Sequence, residues 1–135
     1  MNRTTASLIA LSSISMPAAG GQLGPPGQSV AINTTNPTTA QVVAPSGSTQ
    51  IYVTAWVVLA NSASGFTLEY GTKTKNPCDT GTIALTGAYS FTAQSGISRS
   101  GGPQPLYVVP QGNTLCVVSS GSSVSLAGSL SYTQY

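Results

Sequence analysis

Histidine is absent from this 135-residue chain. That removes the commonest general base near neutral pH and the commonest metal ligand. Ser-His-Asp and Cys-His catalysis are excluded with it. Charge is scarce as well. Only Arg3, Glu69, Lys73, Lys75, Asp79 and Arg99 carry it, 4% of the residues, against about 25% in an ordinary globular protein. The net charge of +2 is too small and too scattered for a nucleic-acid footprint, which needs clustered Lys and Arg. No stretch approaches the roughly 20 consecutive apolar residues of a membrane-spanning helix. Two cysteines without histidine cannot supply four tetrahedral zinc ligands. The sequence thus predicts no enzyme, no cofactor, no metal centre, and neither nucleic acid nor membrane as partner.

What is present is Ser, Thr, Asn, Gln and Gly, which must dress the surface. A free monomer would owe little of its solubility to charge. Such a surface suits a chain that lives inside an assembly. A secreted domain with a Ser/Thr coat is the plainer alternative.

The organising stretch is Gln50-Ile-Tyr-Val-Thr-Ala-Trp-Val-Val-Leu-Ala60. Its β-branched and aromatic residues favour a pleated surface. At period two, Ile51, Val53, Ala55, Val57 and Leu59 share one face, and Tyr52, Thr54, Trp56 and Val58 the other. With neither face fully polar, this strand is expected inside a sheet covered twice. One cover is the domain's own second sheet, and the other is a further chain.

Residues 1–27 differ from the rest. Met1-Asn-Arg3 and Ala6-Ser-Leu-Ile-Ala-Leu11 resemble a short signal peptide, with Pro17-Ala-Ala-Gly20 as a loose cleavage region. Ser12, Ser13 and Ser15 break that pattern. The stretch reads instead as an extended arm, able to span up to about 90 Å. Leu8, Ile9, Leu11 and Ile14 are its adhesive side chains.

Residues 28–135 read as one β-sandwich domain of eight or nine short strands, with turns at regular intervals and no helical periodicity. Jelly-roll topology is the first expectation. An immunoglobulin-like arrangement is the alternative, although Trp56 precedes both cysteines. Asn61–Gly65 is expected to close a hairpin that pairs residues 50–60 with 65–71. Gly128, inside the last strand, marks a bend or a close neighbour. Thr72–Gly81 reads as an exposed loop anchored by Cys78. Cys78 and Cys116 are either bonded or two buried thiols, with the bond favoured in an oxidising setting.

Few residues invite a chemical role. Glu69 and Asp79 are the only two acids, and glycoside hydrolysis needs two flanking the bond. A strand-face Glu69 paired with Lys73 or Lys75, and Asp79 as a turn residue, explain them more simply. Trp56 is a sugar-stacking platform or a core or interface residue, and its place mid-strand favours the latter. Tyr89, Phe91, Tyr107 and Tyr132, with Tyr135, form either an aromatic binding face or interface anchors.

Leu68-Glu-Tyr-Gly71, Cys78 with Thr80-Gly-Thr82, and Leu85-Thr-Gly-Ala-Tyr89 form a pattern with Gly112-Asn-Thr-Leu-Cys116 and Gly128-Ser-Leu-Ser-Tyr-Thr-Gln-Tyr135. Across about residues 50–135 this resembles small structural proteins of tailed bacteriophages and cyanophages. The resemblance implies a capsid decoration (cement) protein on the outer capsid surface of the virion. It implies a homotrimer whose β-sandwich stands on the shell and whose N-terminal arm grips the major capsid protein. A tail-fibre or head-fibre binding module that recognises host surface or glycan is the alternative.

Overall fold

The computed structural model describes residues 27–135. Ten strands run in chain order: β1 (Gln28–Thr34), β2 (Thr38–Val43), β3 (Ile51–Ala60), β4 (Ser64–Thr72), β5 (Thr80–Ala84), β6 (Tyr89–Phe91), β7 (Ser95–Ser100), β8 (Tyr107–Val109), β9 (Thr114–Ser120) and β10 (Leu126–Gln134). They form two antiparallel five-stranded sheets. Sheet A has the order β1-β10-β3-β7, with β8 also paired to β3. Sheet B has the order β2-β9-β4-β5, with β6 also paired to β4. No helix occurs among the described residues. The architecture is the expected all-β sandwich.

The pairings nest. β1 pairs β10, β2 pairs β9, β3 pairs β7 and β8, and β4 pairs β5 and β6. The chain is thus one long ribbon folded back on itself and then wound into two layers. The core lies between the layers. From sheet A it takes Ile32, Ile51, Val53, Trp56, Val58, Leu126 and Leu130, and from sheet B Phe66, Leu68, Leu115 and Val117. The Trp56 and Phe66 rings meet across the gap with centroids 5.2 Å apart.

Two sequence expectations fail here. The first is the hairpin. β3 and β4 do not pair; they lie in different sheets. Both edges of β3 are taken, by β10 on one side and by β7 and β8 on the other, and β4 is likewise held between β9 and β5 with β6. Asn61–Ala63 therefore arches from one layer to the other. The backbone N–H of Asn61 donates to the Ser125 carbonyl at 2.9 Å, and the Ser62 hydroxyl bonds to the Ser123 carbonyl. A short polar loop between two apolar strands has the same appearance in sequence whether it closes a hairpin or an arch.

The second failure is the strict alternation along β3. Ile51 and Val53 point into the core, but so do Trp56, Val58 and Ala60, while Leu59 is 56% exposed. The register explains it. Val53 faces Tyr132 and Ala55 faces Ser131, so Thr54 has no partner opposite and forms a bulge. One extra residue reverses every side chain beyond it. The Thr54 hydroxyl donates to the Ser131 carbonyl at 3.1 Å. On the other edge, β8 pairs Ile51–Val53 and β7 pairs Ala55–Ala60, so the partner changes at the same residue.

Gly128 has the close neighbour expected of it. A Cβ there would come within 2.9 Å of the Val57 carbonyl carbon and 3.0 Å of the Val58 Cα. These are backbone atoms and cannot swing aside.

Candidate interaction surfaces

The outer face of sheet B is covered in part by its own chain. Beyond β4 the loop 73–79 folds over the sheet, and Cys78 bonds Cys116 of β9 with an S–S distance of 2.06 Å. Both sulfurs are buried, Cys78 being 3% and Cys116 0% exposed. The thiol alternative is thereby closed. Asp79 organises the loop. Its carboxylate accepts hydrogen bonds from the backbone N–H groups of Thr74 (2.8 Å), Lys75 (3.0 Å) and Asn76 (2.9 Å), and from the Thr74 hydroxyl (2.8 Å). These donors hold its pKa well below the usual carboxylate range. Asp79 is the expected turn residue.

Glu69 lies on β4 opposite Cys116. Its pKa is raised, and burial is the cause. The expected pairing with Lys73 or Lys75 contributes nothing to that shift. Four of the five charges in the described region, Glu69, Lys73, Lys75 and Asp79, thus gather on β4 and the loop that follows it.

The outer face of sheet A is bare. Beyond the bulge it presents Ala55, Val57 and Leu59 of β3 beside Ala127, Ser129 and Ser131 of β10, with Ser98 and Gly96 on the flank. Its central outward positions carry no charge; the one charged residue of the sheet, Arg99 of β7, lies exposed at the edge. Ala55, Val57, Ser98, Ser129 and Ser131, with Arg99 at the edge, line a shallow depression of about 280 Å³.

At the other end, before the bulge, the same face carries Tyr52 and Thr133, with Tyr135 beside them. The rings of Tyr52 and Tyr135 stack with centroids 4.6 Å apart and planes 18° from parallel. The Tyr52 hydroxyl donates to Gln50 Oε1 at 2.6 Å. The segment 102–105, joining β7 to β8, walls a cleft of about 380 Å³ around this pair. Sequence reading missed the pair because the two tyrosines are 83 positions apart. The pairing of β3 with β10 brings them together.

The other aromatic candidates lie elsewhere. Trp56 is 2% exposed, 5.8 Å from Tyr89 between ring centroids. Tyr89, Phe91, Tyr107 and Tyr132 are half-buried and pack against the core. Trp56 therefore offers no platform for a ligand. Glu69 and Asp79 sit in separate surroundings, one half-buried on a strand and one capping an exposed loop. Leu8, Ile9, Leu11 and Ile14 of the arm lie outside the described residues. No group of three or more His, Cys, Asp or Glu that would hold a metal occurs among the described residues.

No family model matches the chain, and no curated protein matches it. Among solved structures, the chain is similar to a chain in the structure of infectious bursal disease virus, Gx strain, with a TM-score of 0.38 and 17% identity. The match covers 78% of this chain and 32% of that one, so this chain spans about a third of its length.

Proposed function

We propose that this chain is a structural protein of a virus particle, a capsid decoration protein of the phage type, that binds the outer shell and stabilises it through subunit contacts. The observation that carries the reading is the outer face of sheet A, whose central positions are uncharged and mostly small or apolar, with Arg99 only at the β7 edge. A lone soluble domain gains nothing by keeping such a face free of charge. A domain that packs against copies of itself gains close approach without having to desolvate ions. Closed symmetry is the usual outcome of such self-association, and three copies are expected. The nested ribbon supports the same reading. With β5 and β6 counted as one broken strand and β7 and β8 as another, its order supports a jelly-roll reading, an architecture used in viral capsid and lectin domains. Fold alone does not decide function, which is why the surface carries the argument.

In this reading the sandwich is the body, and Leu8, Ile9, Leu11 and Ile14 attach it to the major capsid protein. The protein is not an enzyme. The test is to purify particles made from the genome that encodes the chain. The chain should be present in stoichiometric copies, and a cryo-EM map should place the sandwich outside the shell. Particles that lack the chain, or a map that places it elsewhere, would contradict the proposal.

A further inference from the structure

We propose that the cleft between the Tyr52–Tyr135 stack and the segment 102–105 binds the ring of a neutral sugar. Three observations meet there. The first is the stack. One face of Tyr135 rests on Tyr52, and yet 59% of the residue is exposed. A ring held from behind and open in front is a flat platform. The apolar C–H face of a pyranose packs on such a platform, and a ring already ordered loses little entropy on binding.

The second observation is the kind of polar group at the rim. Gln104 brings an amide, and Thr133 and Tyr135 bring hydroxyls. Each donates and accepts, which is what a ligand covered in hydroxyls requires. The third is charge. No Asp, Glu, Lys or Arg is among the lining residues, so an anionic or cationic ligand would find no charged side chain to pair with. The volume of about 380 Å³ lies in the range of small-ligand sites. The position also fits. The bulge at Thr54 and the change of partner from β7 to β8 interrupt the face only here. The platform is not Trp56, for which the sequence favours a core or interface place, but a pair assembled by the β3–β10 register.

The inference stands apart from the virion reading, because it concerns the soluble protein and its test needs no particle. Isotope-labelled full chain is titrated with methyl β-D-glucoside and with methyl β-D-galactoside, following backbone and side-chain amide resonances. A ligand of this size at ordinary efficiency binds with a Kd on the order of 1–10 mM. At least one glycoside should shift Tyr52, Gln104, Thr133 and Tyr135 progressively and leave the far sheet unmoved. Tyr135→Ala should weaken binding by about tenfold or more, and Gln104→Ala, on an exposed loop, by about threefold. The melting temperature of Gln104→Ala should stay that of the wild type. N-acetylneuraminic acid, which is charged, should bind no better than the neutral glycosides.

Absence of shifts with both glycosides at about 50 mM, well above such a Kd, would overturn the proposal. So would undiminished binding by both variants. Decaproline that shifts these residues where the glycosides do not would show a peptide groove instead, and would overturn it too.

Discussion

The two outer faces of the sandwich are built on the same plan and finished differently. Both are antiparallel, and both lie over the same core. Over sheet B the chain lays its own loop, fixes it with Cys78–Cys116, and stiffens it with the four hydrogen bonds that Asp79 accepts from Thr74, Lys75 and Asn76. It also places four of its few charges there. Sheet A has the segment 102–105 over one end and Arg99 at its β7 edge, and its centre carries neither cover nor charge from the described residues. The contrast shows a chain spending its covalent link and its ions on the side it closes alone. The other side is left in a state that a second chain can close.

The largest expected effect is on the covered face. The disulfide spans 38 residues, and loss of that constraint is expected to cost about 4 kcal/mol on the chain-entropy model. Cys78→Ser or full reduction should lower the urea midpoint accordingly, with the native sheet pattern retained under non-denaturing conditions. A loss below about 1 kcal/mol would mean that the loop holds its place without the bond.

Next is Gly128→Ala, which tests the tight packing of β10 on β3 in the bare sheet. Its Cβ meets backbone atoms, so a loss of about 1–3 kcal/mol is expected from overpacking. Equilibrium unfolding checks it, and a neutral result would show that the two strands have room to separate.

The pH dependence should also differ with the face that is altered. Asp79 has a folded pKa below its ordinary 3.8, so its contribution is complete above that value and is lost as the pH falls towards the folded one. Glu69 has a folded pKa above its ordinary 4.5, so its contribution has the opposite sign. It favours the fold as the pH falls through the raised value and is lost as the pH rises through it. Stability measured against pH should lose its acid limb in Asp79→Asn and its shallow upper slope in Glu69→Gln. Variants altered only on the outer face of sheet A should keep both.

Much of this was legible in the sequence. The strands came from runs such as Phe66, Leu68 and Tyr70 against Thr67 and Glu69, where period two survives to the end of the strand. The bond was anticipated from two cysteines with no histidine beside them. The reversal at Thr54 was not legible, because a bulge is a relation between strands. Nothing in Val53-Thr-Ala55 announces that Ser131 and Tyr132 will face it unevenly. The arch at Asn61–Ala63 was hidden for the same reason, since it depends on which edges distant strands have already taken. The Tyr52–Tyr135 cleft follows from long-range register too. Local pattern gave the elements, and the site arose where two of them meet.

The smallest effect on the fold should come with the largest effect on assembly. Val57→Lys places a charge on the half-buried outer face of sheet A and should alter monomer stability by only about 0.5 kcal/mol. Sedimentation velocity of the full chain at micromolar concentration, wild type beside Val57→Lys, tests the central claim most directly. The account predicts a closed oligomer of three copies for the wild type and a folded monomer, melting at nearly the same temperature, for the variant. A wild type that sediments as a stable, monodisperse monomer, or a variant that assembles as the wild type does, would contradict it.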